Sequence, residues 1–302
     1  MSASMKFVFS RVLPALVVAA LLLAAATEYA VARPSRRTAN VAYVPATDSA
    51  FSPERHVLDV YAPREKAAAS RPVVVFIHGG SWNSGNKNFY SFIGRRLAKQ
   101  GVVAVVINYR LAPGVRVPQM ADDCARAVLW TQARIGEYGG DPQRIFLLGH
   151  SAGGGLAALL AADDALFRRW GQAQNPVRGA ILDDPAGLDM YDYLRKMQYP
   201  GDEQYLVPFG PEPAVWRQVS PMYYLTAHTP PMQIFVGGET YPSISSSSAR
   251  FRQKLTALGH APRYQVLPGK KHAPMVLQLY WPRNIIYQQL LPFVKGEAGA
   301  AR

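Results

Sequence analysis

The sequence holds one cysteine, Cys124, in 302 residues. That excludes an internal disulfide and any site built on paired thiolates. Cys124 falls one turn from Met120 and Val128 in a helix-period pattern, which makes it a core residue rather than a nucleophile. No H-E-x-x-H, C-x-x-C or phosphate-binding glycine loop occurs, so no metal or organic cofactor is implied. Internal repeats are absent, and no linker is long enough to set off a second domain. Acidic residues are scarce too: 20 Asp and Glu stand against 33 Lys and Arg, a formal charge of +13. The basic excess is scattered in short pairs such as Arg36-Arg37, Arg95-Arg96, Arg168-Arg169 and Lys270-Lys271, without any nucleic-acid module signature. It therefore points to solubility and surface affinity, not to a nucleic-acid partner. A hydrophobic share of 49% with 18% charged residues suits one globular domain with a large core.

No apolar run reaches membrane-spanning length. Residues 12–26 form an apolar run of 15, whereas a bilayer takes about 20. Lys6 and Arg11 precede this run, and Ala30-Val31-Ala32 follows it as a small-residue cleavage site. Residues 1–32 read as a secretory signal peptide. The mature chain, 33–302, is then expected in the periplasm or outside the cell. The alternative is an uncleaved N-terminal anchor.

What the remainder contains is an alternation of apolar β-branched runs and helix-period segments, the pattern of an α/β protein with a mostly parallel sheet. Strands are predicted over 40–44, 55–61, 72–78, 102–109, 144–149, 178–182, 231–236 and 263–267. Runs such as VVVFI and VVAVVI suit strands covered on both faces. Met120, Cys124, Val128 and Ile135 form one helix stripe, ended by Gly139-Gly140-Asp141-Pro142. Phe251, Leu255 and Leu258 form another, closed by Gly259. Ser245 to Ser248 are expected to cap the start of that second helix. Residues 187–225 break the alternation with tyrosines, Phe209, Trp216 and several prolines. They suggest either a small aromatic cap over a site or a surface excursion packed on itself.

Gly149-His150-Ser151-Ala152-Gly153 is a G-x-S-x-G stretch between the strand RIFLLG and the small-residue run GGLAALLAA. A nucleophile elbow requires that strand–turn–helix setting, and it marks Ser151 as the nucleophile. His78-Gly79-Gly80-Ser81-Trp82 follows VVVFI, where backbone N–H groups can face a developing oxyanion. Gly80 and Ser81, with Gly79 as a further candidate, plus Ala152, are the expected donors. Of six histidines only His272 follows the last strand, the place of the base in the order Ser…acid…His. For the acid, Glu239 in VGGETY follows the penultimate strand and is preferred. Asp183, Asp184 and Asp189, which follow the preceding strand, are its rivals.

HGGSW at 78–82, NYRLAP at 108–113, YGGDP at 138–142, GHSAGG at 149–154 and PGKKHAPM at 268–275 resemble the α/β-hydrolase superfamily. Within it they resemble carboxylesterases related to hormone-sensitive lipase, in the H-G-G-x-W branch of kynurenine-formamidase-like, isoprenylcysteine-methylesterase-like and feruloyl-esterase-like enzymes. The resemblance runs from about residue 56 to residue 293. It implies that Ser151 and His272 are catalytic, and that His78, Gly79, Gly80 and Trp82 form the oxyanion loop, with Trp82 on the substrate. Relatives carry an aspartate a few residues beyond the V-G strand end, where this chain has Glu239. The expectation is a serine carboxylesterase acting on a small-molecule ester. An amidase or peptidase with the same triad, or a non-catalytic binding module, are the alternatives.

Overall fold

A computed structural model describes residues 35–65, 67 and 69–297. The expected leader, residues 1–32, lies outside them. The elements run β1 (Ser35–Ala42), β2 (Val57–Pro63), β3 (Arg71–Ile77), α1 (Ser91–Lys99), β4 (Val103–Ile107), α2 (Val117–Arg134), β5 (Gly140–His150), α3 (Ala152–Ala162), α4 (Ala165–Arg168) and β6 (Val177–Asp183). They continue with α5 (Met190–Lys196), α6 (Leu206–Phe209), α7 (Pro213–Gln218), β7 (Met232–Gly237), α8 (Pro242–Ala257), β8 (Arg263–Leu267), α9 (His272–Leu277) and α10 (Ile285–Lys295). Each of the eight predicted strands overlaps one of these eight.

The strands form one sheet in the order β1-β2-β4-β3-β5-β6-β7-β8. The β1–β2 and β2–β4 pairs are antiparallel, and the rest are parallel. The central strands are buried on both faces because helices cover both. Alternate residues Val73, Val75 and Ile77 of β3 enter the core shared with α2, α3 and α8, whereas Val74 and Phe76 enter the core shared with α1, α9 and α10. The period of two along a strand makes this division.

Helix α2 buries Met120, Cys124 and Val128 of the predicted stripe, whereas Ile135 is buried in the 3₁₀ turn after it, which ends at Gly139 with φ +80°. The serine run corrects an expectation. Helix α8 begins at Pro242, with Tyr241 as its N-cap residue, so Ser245 to Ser248 lie inside the helix and cap nothing. Proline at the first helical position needs no N–H partner, and that sets the start three residues early.

Segment 187–225 folds as α5 to α7 and intervening turns. Leu188, Met190, Leu194, Phe209, Trp216 and Met222 are buried in the same core as the sheet, and Trp216 Nε1 donates to the Gly210 carbonyl at 2.7 Å. The segment is thus welded to the sheet's core, which fixes its remaining tyrosines as a wall over the C-terminal strand ends.

Candidate active site

Strand β5 ends at His150, and α3 starts at Ala152, leaving Ser151 alone to make the turn with φ +57° and ψ −124°. A non-glycine residue there is strained, and the surrounding packing must hold it. A Cβ on Gly149 would meet the Gly153 carbonyl oxygen at 2.2 Å, and one on Gly153 would meet the Ile77 oxygen at 2.1 Å. Both outer glycines of G-x-S-x-G are thus required by backbone contact. The Ser151 N–H is anchored on the Asp183 carbonyl at 3.1 Å.

His272 opens α9, and its Nε2 accepts the Ser151 hydroxyl at 2.8 Å. Its Nδ1–H donates to Asp184 Oδ2 at 2.6 Å. The carboxylate that meets the histidine is therefore Asp184, not Glu239. Glu239 is exposed, and its backbone N–H bonds the Lys270 carbonyl at 2.9 Å. The tight loop expected around it exists, but the loop's task is to hold the histidine loop through its backbone. Asp184 sits just past β6 at φ +48° and is fully buried. Its Oδ1 accepts the Gly237 N–H at 2.8 Å, and its Oδ2 also accepts the Thr240 hydroxyl. Three donors thus fix the carboxylate in place.

The other rivals point elsewhere. Asp183, one residue earlier, faces the opposite side of the sheet, where burial and the neighbouring Asp184 push its carboxyl well above the usual range. Asp189 caps α5 through the Asp192 N–H and pairs with Arg250.

The loop after β3 makes a tight left-handed turn, with φ +123°, +49° and +60° at Gly80, Ser81 and Trp82. A Cβ on Gly80 would lie 2.3 Å from the Ser84 oxygen, so only glycine fits. Gly79 packs on the elbow, its ideal Cβ 3.0 Å from the Ser151 Cβ. Ala152 is the first residue of α3, whose helix-terminal N–H has no partner within the helix. Gly79 and Ala152 therefore adjoin Ser151, Ser81 lines the same cleft, and Gly80 links Gly79 to Ser81. NYRLAP braces this loop: the Tyr109 hydroxyl donates to the His78 carbonyl at 2.8 Å, and the Ala112 N–H donates to the Trp82 carbonyl at 2.9 Å. His78 stacks on Tyr109 at 4.5 Å, and its burial lowers its pKa to about 4.

The His150 ring lies 4.7 Å from that of His272, and its Nε2–H donates to the His272 backbone carbonyl at 3.1 Å. Burial lowers its pKa to about 3. It is therefore a neutral imidazole tying the elbow to the histidine loop.

Ser151 and His272 open onto a cleft of about 480 Å³. Trp82 and Ser81 line one end, and Tyr193, Tyr199 and Tyr205 of the insertion form the wall. Trp82 stands edge-on to Tyr205 at 5.9 Å and to Phe209 at 4.8 Å. The far wall is charged: Arg250 pairs with Asp192 at 2.6 Å, and Lys196 pairs with the same carboxylate at 2.9 Å.

The BD-FAE family model matches residues 58–255, from β2 into α8. The chain belongs to the BD-FAE family. The isoprenylcysteine alpha-carbonyl methylesterase ICME of Arabidopsis thaliana is 27% identical over 243 residues, covering 74% of this chain and 55% of that protein. Esterase LipQ of Mycobacterium tuberculosis is 30% identical over 232 residues, covering 72% of this chain and 54% of that protein. The chain thus spans little more than half the length of these relatives. Among solved structures, esterase B from Lactobacillus rhamnosis superposes with a TM-score of 0.73 at 22% identity, covering 93% of this chain and 94% of that one. The hyperthermophilic esterase from Pyrobaculum calidifontis gives 0.67 at 21%, covering 88% and 86%. The solved structures establish the α/β-hydrolase fold, and the curated relatives named here are esterases.

In this BD-FAE family member the sequence singled out Ser151, His272 and the oxyanion loop but passed over Thr240 and His150. One signal for the acid was available. Two consecutive carboxylates at the end of a strand must face opposite sides of the sheet, so only one of Asp183 and Asp184 could turn toward the helix carrying the elbow.

Proposed function

We propose that the protein is an exported serine carboxylesterase, with Ser151 as nucleophile, His272 as general base and Asp184 as the triad acid. The observation that carries this is the continuous hydrogen-bond chain Ser151–His272–Asp184, at 2.8 and 2.6 Å, opening on a cleft beside the oxyanion loop. A carboxylate can only accept from Nδ1–H, so Nε2 keeps its lone pair toward Ser151 Oγ. His272 takes the hydroxyl proton as Oγ attacks the ester carbon. The carbonyl oxygen then gains negative charge facing the N–H groups of Gly80, Ser81 and Ala152, with Gly79 beside them. Collapse expels the alcohol, which takes the proton from His272 Nε2. Water, deprotonated by the same nitrogen, then releases the acid and restores Ser151. Asp184 stays ionised throughout and stabilises the imidazolium. The substrate is a small-molecule ester, and Trp82 with the insertion's tyrosines contacts its acyl part.

Two experiments test this reading. Ser151→Ala should abolish labelling by a fluorophosphonate and lower ester turnover by several orders of magnitude. Labelling retained in the folded variant would move the nucleophile elsewhere. Export is tested by mass spectrometry of the purified protein. A mature start at Arg33 supports it, and an intact N-terminus in the membrane fraction replaces it with an anchor.

A further inference from the structure

Two long stretches of the chain contain no acidic residue. Residues 66–121 and 240–296 carry eight lysines and arginines each, sixteen of the chain's 33, and none of its 20 aspartates and glutamates. The fold joins parts of both on one side of the sheet. Helix α1 comes from the first stretch, and α9, the 278–280 turn and α10 come from the second. Their buried residues Ile93, Leu97, Met275, Leu279, Ile286 and Leu290 share one core.

The outer surface of this layer is aromatic and basic. Phe92 lies 6.0 Å from the Tyr280 ring, and Tyr280 stands edge-on to Trp281 at 5.5 Å. Arg96 Nε donates to the Tyr280 carbonyl at 2.8 Å, with its guanidinium 5.5 Å from the Tyr280 ring. Phe92 and Arg96 are four residues apart on α1 and share a face, Phe89 lies in the 3₁₀ turn just before that helix, and Leu277, Tyr280 and Trp281 follow through the end of α9 and the 278–280 turn. Phe89 is 72% exposed, Trp281 60%, Leu277 55% and Tyr280 55%. Single exposed apolar residues need no explanation. Here four of the nine large hydrophobic side chains left exposed among the described residues lie on adjoining elements of one layer. Arg95, Arg96 and Lys99 lie on α1 and Lys271 just before α9, and none of these forms an ion pair among the described residues.

We propose that this face docks on a membrane surface containing anionic lipid. Trp281, Leu277 and Phe89 enter the boundary between headgroups and acyl chains, where indole and phenyl rings with a polar border are favoured. Arg95, Arg96, Lys99 and Lys271 meet the lipid phosphates, whose field attracts basic residues within a Debye length. An acid-free surface is complementary to that partner, and aliphatic Leu277 gains from acyl chains as it would not from a polyanion. The contact is peripheral, since no helix among the described residues is long and apolar enough to cross a bilayer. Leu277 ends the helix that His272 begins, so the docked face adjoins the cleft.

The test mixes the full chain with vesicles of phosphatidylcholine, with and without phosphatidylglycerol, and follows sedimentation and hydrogen exchange. The expected result is association at least about tenfold stronger with the anionic vesicles, weakened by salt. Amides of 87–99 and 277–283 should gain protection. Phe89→Ser, Leu277→Ser and Trp281→Ser combined should remove most association, while fluorophosphonate labelling and hydrolysis of a soluble ester stay unchanged. If that variant melts early, Arg95→Glu with Lys99→Glu makes the same test through charge. Equal binding to neutral and anionic vesicles, or protection confined to residues 1–34, overturns the proposal. So do variants that bind like wild type, and so does protection of these segments by heparin but not by vesicles.

Discussion

Thr240 donates its hydroxyl to Asp184, the same carboxylate that receives the Nδ1–H of His272. The loop after β7 therefore serves the carboxylate without supplying it. The carboxylate follows β6, while the Gly237 N–H at the end of β7 and the Thr240 hydroxyl in the loop after it hold that carboxylate.

The first prediction separates the two carboxylates. Asp184→Asn leaves the imidazole without a charged acceptor and favours the wrong tautomer, a change that costs about 10⁴ in turnover in the serine-protease triad. A loss of about 10² to 10⁴ in kcat is expected here. Glu239→Gln should stay near wild type, because its carboxylate is exposed. Steady-state kinetics with thermal melts of both variants decide it. The reverse order would return the acid to β7.

Thr240→Val removes one of three donors to Asp184 while keeping the branched shape. A hydrogen bond to a charged group contributes about 1.5–3 kcal/mol, and part of that should appear as a loss of about tenfold in kcat with KM little changed. Thr240→Ser should recover most of it. A Tm loss without any change in kcat would make Thr240 structural only.

The cleft is expected to favour short or aromatic acyl groups. Its walls combine the rings of Trp82 and Tyr205 with the ion pairs of Arg250, Asp192 and Lys196. A long alkyl chain laid along those charges would desolvate them without compensation. On nitrophenyl esters graded by acyl length, acetyl and butyryl should turn over faster than octanoyl and longer. Tyr205→Ala should narrow that difference. Faster cleavage of the long chains by wild type would refute this account.

Stability should fall on mild acidification. Buried His150 and His78 have pKa values lowered to about 3 and about 4. An unfolded histidine titrates near 6.5. Between these values the unfolded chain binds more protons, so unfolding becomes easier as pH falls, by up to about 1.4 kcal/mol per pH unit for each histidine. Their contribution is complete above about pH 6.5 and is lost on approach to the folded-state values. Asp183, whose carboxyl is raised, acts in the opposite sense, with stability that declines as pH rises above the usual carboxylate range. Melting curves from pH 7 to 4.5 should show the decline, and His150→Asn should make it shallower. An unchanged slope in that variant would mean His150 is not held neutral.

What the sequence determined by itself was whatever rests on local pattern. The eight strands were legible because continuous β-branched runs have no other comfortable setting than a sheet covered on both faces. Ser151 was legible because its strand, its two glycines and its small-residue helix are contiguous, and Gly149 meets the Gly153 backbone only four residues on. His272 followed from its place after the last strand. The acid did not follow, because its position depends on contacts 53 and 88 residues apart, to Gly237 and His272. A left-handed residue at Asp184 turns the carboxylate under the end of β7, and no spacing in the sequence encodes that turn. His150 was passed over for the same reason: its direction is set by the histidine loop 122 residues away. Only the tertiary structure decided which of several well-placed carboxylates came within 2.6 Å of an imidazole, because hydrogen bonds form between neighbours in space and are indifferent to order along the chain.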